Sequence, residues 1–270
     1  MIAPLFLASG IALLSAVDAA ELDRWVPGVL QASAVPGLSL AIVREGEIAI
    51  LRGYGIAADG SPATPRTIFE AASLSKPVFA YGVLLLAREG KLDLDAPLTR
   101  YVESAPVTDD PRIERITGRL VLSHATGFPN WRKGRWTDAP GPLRIEFDPG
   151  ARFGYSGEGF EYLKDAVERV TGEPVESFLQ ERVLKPLGMR ESSFVWQDAY
   201  ERTAAAGHDR EWKPGTKWKP GRANVAGSLH TSASDYARFL LAMLDPTEPE
   251  IVAAMMTETT AIDAALDWGL

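Results

Sequence analysis

Apolar and polar positions alternate in two short runs near the start of the chain. Leu38–Arg44 and Glu47–Tyr54 are rich in aliphatic residues, and Glu45-Gly46 separates them. A two-residue connection containing glycine between such runs is typical of a β-hairpin. The pattern therefore predicts two antiparallel strands, followed by a loop rich in Gly and Pro over residues 58–66.

The pattern after this loop is mainly helical. Ser73–Glu89 is apolar on every face between Val78 and Ala87, and Gly90 follows it, as glycine commonly follows a helix C-terminus. A helix that is apolar all round is buried, so we expect this one at the centre of its domain. The same pattern predicts three further helices, at Glu158–Val170, Val175–Leu184 and Ala233–Leu244.

This order of elements predicts an α/β protein in two parts. Residues 20–72 and 226–270 are expected to form an α/β part, in which helices flank an antiparallel sheet. Residues 73–225 are expected to form a mainly helical part. We expect the functional site between the two parts, since ligand sites commonly lie at such boundaries.

Composition narrows the class of protein. The chain has 270 residues, of which 46% are hydrophobic and 24% charged, and this is enough apolar content for a packed core. The absence of cysteine excludes disulfides, thiolate zinc sites and a cysteine nucleophile. A net charge of −8 argues against nucleic acid as a partner. His124, His208 and His230 show no metal-ligand spacing, so we expect neither a metal nor a cofactor.

The first residues form an apolar run that ends near Asp18. The run is shorter than the roughly 20 residues that cross a bilayer as a helix. Small residues near Ala19 and Ala20 predict a signal peptide over residues 1–19 and a periplasmic or secreted protein without stable membrane insertion. No Lys or Arg precedes the run, and the alternative is an N-terminal helix packed on the domain.

A candidate nucleophile lies in the segment Ser73-Leu74-Ser75-Lys76-Pro77. Proline is tolerated only in the first turn of a helix, so Pro77 places Ser73 at the helix N-terminus, where the dipole favours negative charge. Lys76 is three residues further on and lies on the same face. It could act as a base if its pKa fell below the usual value of about 10.4. The alternative is a serine cap followed by a solvent-facing lysine.

Thr67–Pro77 resembles the nucleophile segment of serine hydrolases related to class C β-lactamases, DD-peptidases and β-lactamase-like carboxylesterases. Other segments resemble the same family in the same order: Leu122–Pro129, Pro149–Ser156, Leu184–Met189 and Ala226–Ser232. The resemblance implies a β-lactamase/transpeptidase-like fold in which Ser73 is acylated, Lys76 is its base partner and Tyr155 is a second base and acid. A phenol, with a pKa of about 10, can act as a base only beside a cation. Without the family context, Tyr155 would be a core aromatic.

The chain departs from this family at two places. The family's Tyr-x-Asn element is Tyr155-Ser156-Gly157 here, so the asparagine that would bind a substrate amide is absent, and this favours ester substrates. The third element, Lys-Thr-Gly or His-x-Gly on a strand that supplies an oxyanion donor, is also absent. In the family it follows a segment similar to Trp268-Gly269-Leu270. We therefore expect a truncated product that lacks the C-terminal strands of the sheet.

These observations predict a serine hydrolase that forms an acyl-enzyme on Ser73 and prefers esters. One alternative is a β-lactamase or peptidoglycan DD-peptidase with the same residues. Another is a non-hydrolytic module that binds peptidoglycan or peptides, because the third element is absent. The expected partner is thus a small ester, a β-lactam or a peptide, and the sequence makes no prediction of oligomeric state. A Ser–His–Asp triad is not expected, since the G-x-S-x-G elbow is missing.

Two loops combine tryptophan with basic residues, at Asn130–Trp136 and at residues 210–222. Their rings could cap the core, or the loops could form a cleft rim suited to an anionic or aromatic group. We also expect His124 to hold a loop and His230 to cap a turn near the cleft.

Overall fold

The computed structural model describes residues 18–58, 60–209, 211, 213–245, 247, 249–263 and 268–269. Residues 1–17, which make up most of the predicted signal peptide, lie outside this range, as do Trp212 and Leu270. Within the described residues, no helix combines the length and the apolar character that a membrane span requires.

The first described element is a helix that covers one face of the predicted hairpin. Helix α1 (Ala19–Ser33) begins at Asp18, whose carboxylate accepts a hydrogen bond from the Glu21 amide at 2.7 Å. The hairpin consists of β1 (Gly37–Arg44) and β2 (Glu47–Gly55), paired antiparallel. Its turn residues, Glu45 and Gly46, both have positive φ, as a two-residue turn of this kind requires. Leu22, Val26 and Leu30 of α1 pack against Ile50 of β2. The two strands are thus those that the sequence pattern predicts. The pattern did not predict α1.

The other elements follow in chain order. They are β3 (Phe69–Glu70), α2 (Ser75–Arg88), α3 (Gly118–Leu122), α4 (Gly157–Thr171), α5 (Val175–Leu179), α6 (Tyr200–Thr203), β4 (His230–Thr231), α7 (Ala233–Ala242), α8 (Pro249–Met256), β5 (Ala261–Asp263) and β6 (Trp268–Gly269). Short 3₁₀ segments within the described residues lie at Ala72–Leu74, Leu98–Arg100 and Pro111–Arg115. The predicted helix Val175–Leu184 is α only to Leu179 and continues as a π turn over Gln180–Leu184.

Helix α2 lies at the centre of the main core, as its sequence predicts. Val78, Phe79 and Val83 are fully buried. On another face, Gly82 packs so closely against Phe178 and the α5 region that a Cβ there would lie about 3 Å from the phenyl ring. The position of α2 fixes the position of the Ser73 segment, which leads directly into it.

The described strands form three two-stranded antiparallel sheets, β1–β2, β3–β4 and β5–β6. Helix α7 contacts both strands of the hairpin. The pair β3–β4 matters most for the site, because it joins the segment just before Ser73 to the segment after Ala226: Phe69 pairs with Thr231 and Glu70 with His230.

Candidate active site

Ser73 lies on an exposed 3₁₀ turn that runs into α2. The turn Ala72–Leu74 and helix α2 together cover the single helix predicted from Ser73, and Pro77 lies in the first turn of α2. Ala72, immediately before Ser73, has φ of 46°, a left-handed conformation that is uncommon for a residue with a side chain. Backbone strain of this kind is concentrated at functional sites in proteins.

Lys76 is buried beside Ser73, with 5% of its surface exposed. Its Nζ donates hydrogen bonds to Ser73 Oγ at 3.2 Å and to the carbonyl of Ala226 at 2.7 Å. The same ammonium lies 4.7 Å from the centroid of the Tyr155 ring and 5.7 Å from that of Phe160. Among the described residues, no carboxylate forms a salt bridge with Lys76. The alternative in which this lysine faces the solvent is therefore wrong, because Lys76 is buried.

Ser75 has a different environment from Ser73. It is fully buried, and its hydroxyl donates to the carbonyl of Ala72 at 2.6 Å and accepts from the Leu229 amide at 2.9 Å. Ser75 thus fastens the segment after Ala226 to the start of α2. This hydroxyl is already engaged on both sides, whereas Ser73 is exposed beside a lysine.

Tyr155 completes the set of predicted residues in one place. Its ring is 38% exposed and lies over the buried His124 ring, with centroids 4.3 Å apart and an interplanar angle of 31°. His124 Nδ1 accepts from the Ser156 amide at 3.1 Å, and the His124 carbonyl accepts from the Gly154 amide at 2.8 Å. His124 therefore holds the loop that presents Tyr155, as expected from the sequence.

His124 is neutral in this environment. Burial, and next the charge of Lys76, lower the pKa of His124 to about 4. An imidazole whose Nδ1 accepts a hydrogen bond carries its single proton on Nε2. It packs against Tyr155 without adding a second cation to the site.

Gly157, at the position of the family's asparagine, is the first residue of α4. The Trp131 indole lies against it: a Cβ added at Gly157 would lie 2.4 Å from both Cζ2 and Cη2 of Trp131. The Gly157 amide donates to the backbone carbonyl and the side-chain Oδ1 of Asn130, at 3.0 and 3.1 Å. The loop Asn130–Trp136 thus packs directly on the end of α4 next to Tyr155.

Two acidic residues of α4 bind the basic residues of this loop. Glu158 is 1% exposed and accepts from Arg132 Nε at 2.9 Å and Nη2 at 2.6 Å. Arg135 lies 3.4 Å from Glu161. Burial works to raise the pKa of Glu158, but hydrogen bonds from Arg132 and the charge of Arg135 outweigh it and hold that pKa below its usual range. For Glu161, burial prevails over Lys164 and Arg135 and raises the pKa.

The second tryptophan-bearing loop packs beside β4. The His230 ring is enclosed by Trp196, Tyr200 and Trp218, with centroids 5.5, 5.8 and 6.1 Å away. The prediction that His230 caps a turn is wrong, because His230 lies on strand β4, and Nδ1 bonds the carbonyl of Ser228 at 3.0 Å. Lys219 of this loop pairs with Glu201.

Sequence reasoning missed the residues that hold the three candidates in place. Ser75, Ala226 and Asn130 act through contacts between segments far apart in the chain, and a single sequence does not show which segments meet. In the part of the chain that the structure describes, no cluster of His, Asp or Glu could hold a metal ion.

Comparisons with known proteins agree with this geometry. The family model described as Beta-lactamase matches residues 22–265. Esterase EstB from Burkholderia gladioli is 33% identical over an alignment of 222 positions. The alignment covers 73% of this chain and 56% of the esterase, so the chain spans little more than half the length of that relative.

Solved structures give the same fold. The octameric penicillin-binding protein homologue from Pyrococcus abyssi superposes with a TM-score of 0.77 at 25% identity, over 92% of this chain and 62% of the other. D-alanine carboxypeptidase AmpC from Burkholderia cenocepacia gives a TM-score of 0.71 at 23% identity, over 87% of this chain and 67% of the other, and shows the fold alone. Because the family model matches most of this chain and the solved structures show the β-lactamase/transpeptidase-like fold, this chain belongs to the β-lactamase family.

Proposed function

We propose that this chain is a serine hydrolase that forms an acyl-enzyme on Ser73 and prefers esters. The observation that carries the proposal is the buried Lys76 ammonium, 3.2 Å from the exposed Ser73 hydroxyl and against the Tyr155 ring. Lysine is seldom buried unless it is paired, and Lys76 forms no salt bridge with the described residues, as is typical of a functional group. The similarity to Esterase EstB supports the same reaction class.

In the proposed reaction, Ser73 Oγ attacks the carbonyl carbon of the ester and forms a tetrahedral intermediate. The hydroxyl proton passes to the Lys76–Tyr155 pair, in the state in which one of these two groups is deprotonated, and from it to the oxygen of the departing alcohol. The Ser73 amide, at the start of the 3₁₀ turn, donates to the oxyanion. Water then attacks the acyl-enzyme, and the same pair takes up its proton, which releases the acid and restores Ser73.

The preference for esters rests on position 157. An asparagine at this position would offer a donor and an acceptor to the amide of a β-lactam or peptide substrate. Glycine offers neither from a side chain, and an unpaired amide loses binding free energy on leaving water. An ester with an apolar acyl group makes no such demand on the site.

We also propose that the chain is exported. We further propose that it is divided into an α/β part (20–72 and 226–270) and a mainly helical part (73–225). The hairpin core around α1 is separate from the main core around α2, but Leu229 and Phe239, from 226–270, belong to the main core.

A fluorescent fluorophosphonate and a fluorescent penicillin, each incubated with the wild type and Ser73→Ala, test the proposal. We expect the fluorophosphonate to label the wild type and the penicillin to leave it unlabelled, with all labelling lost in Ser73→Ala. Labelling by the penicillin would favour the β-lactamase or DD-peptidase alternative. A folded protein that neither probe labels would refute hydrolysis by this chain and leave the binding-module alternative.

A further inference from the structure

We propose that Trp131, in contact with Gly157, forms one side of the subsite for the acyl group and selects esters whose acyl group is flat and apolar. This inference rests on the proposed function, since it names the substrate class of the same site. Trp131 and Trp136 lie in contact and together form an aromatic wall.

Gly157 is what allows the indole to approach the site. Any side chain at this position would begin 2.4 Å from the six-membered part of the Trp131 ring, and real contacts are never that short. The indole therefore occupies the space in which an asparagine side chain would lie. Because Gly157 is two residues after Tyr155, the ring borders the site at the point where the family places an amide.

The aromatic wall is held in place before any substrate binds. The Asn130 carbonyl accepts from the amides of Gly157 and Glu158, at 3.0 and 3.1 Å. Arg132, the residue after Trp131, makes a paired hydrogen bond to Glu158. A surface that is already ordered loses little conformational entropy on binding, so its contacts contribute more to affinity.

Two of the three cations of the loop are paired with carboxylates of α4, and this bears on whether the site favours an anionic or an apolar ligand. Arg132 and Arg135 pair with Glu158 and Glu161 on α4. The Trp131 and Trp136 rings meet edge to face at 5.2 Å, and Trp136 is 67% exposed. Lys133, the third cation of the loop, is exposed. The two arginines next to the rings are thus paired, and a flat apolar group is the ligand that such rings favour.

The test measures second-order rate constants for labelling of Ser73 by two fluorophosphonates, one with a methyl group and one with a 2-phenylethyl group in the position of the acyl chain. We expect the wild type to react faster with the phenylethyl probe. Trp131→Ala should lower that rate about 3- to 10-fold, the range for one aromatic contact, and leave the methyl rate within about twofold. Gly157→Ala keeps the indole but displaces it, so the same loss of preference is expected.

Trp25→Ala is the matched control, because Trp25 is 65% exposed on α1 and belongs to none of the core clusters. Its ratio of rates should equal that of the wild type, and circular dichroism checks that all variants are folded. A ratio unchanged in Trp131→Ala or in Gly157→Ala would overturn this inference and leave the proposed function standing. Failure of both probes to label Ser73 in the wild type would overturn both.

Discussion

Ser73 and Ser75 have different environments although one residue separates them. The Ser75 hydroxyl is buried and bonded on both sides, while Ser73 is exposed beside the buried Lys76. The spacing of serine, lysine and proline indicates a nucleophile at a helix start. The hydrogen bond from Lys76 to the Ala226 carbonyl joins residues 150 positions apart, and nothing in the sequence pattern predicts it.

Replacement of Lys76 by alanine tests its role at this scale. We expect labelling of Ser73 by a fluorophosphonate to slow by about 10²- to 10⁴-fold, because the serine loses one member of the pair that takes up its proton. The measurement is the labelling rate, with the urea unfolding midpoint as the check on folding. Lys185→Ala, at an exposed lysine paired with Glu181, is the control and should label at the wild-type rate. Labelling by Lys76→Ala at the wild-type rate would refute the role of Lys76 as base partner.

The pKa of His124 predicts how the free energy of unfolding depends on pH. Its pKa of about 4 in the folded protein lies below the unfolded value of about 6.5, so only the unfolded chain binds a proton between these values. The free energy of unfolding therefore has the full His124 contribution above about pH 6.5 and loses it as the pH falls toward 4. The loss is at most about 3 kcal/mol, since one pKa unit corresponds to about 1.4 kcal/mol.

The measurement compares urea unfolding of the wild type and His124→Asn across this pH range. Asparagine tolerates the positive φ of 53° and can accept the Ser156 hydrogen bond, but it does not titrate. Carboxylates titrate in both proteins, so the difference isolates His124. We expect the wild type to lose more stability than the variant as the pH falls; parallel curves would contradict the assignment.

At the scale of elements, the N-terminus of α4 organises one side of the site. It carries Gly157, which admits the Trp131 ring, and Glu158, which binds Arg132. The sequence pattern predicted this helix to within one residue at each end, because its apolar face and Gly172 are local features. It did not predict that the loop Asn130–Trp136 packs on the helix, because the sequence of a loop does not show which segment the loop contacts.

Arg132→Ala tests the pairing between this loop and α4. Removal of the guanidinium leaves Glu158 buried, with Arg135 still 3.8 Å away, and we expect a loss of about 3 kcal/mol in the free energy of unfolding. Arg119→Ala, which breaks an exposed pair with Asp95, should cost at most about 1 kcal/mol. Urea unfolding at neutral pH gives both values. Equal losses in the two variants would show that burial of Glu158 does not govern the pairing.

At the scale of the whole molecule, the order of motifs predicted the fold class that the structure shows, because the family segments follow one another in the same order over most of the chain. The prediction of one antiparallel sheet was less complete, since the described strands form three separate pairs. The missing third element and the truncation stay predictions.

The mass of the Ser73 peptide after reaction with a fluorophosphonate tests the central claim most directly. The wild type and Ser75→Ala, whose nucleophile is intact, should each carry one phosphonyl group on Ser73, and Ser73→Ala should carry none. Ser75→Ala should also be less stable by about 1–3 kcal/mol, since it leaves the buried Leu229 amide without its acceptor. An adduct on another residue, or a folded wild type with no adduct, would contradict the assignment of Ser73 as the nucleophile.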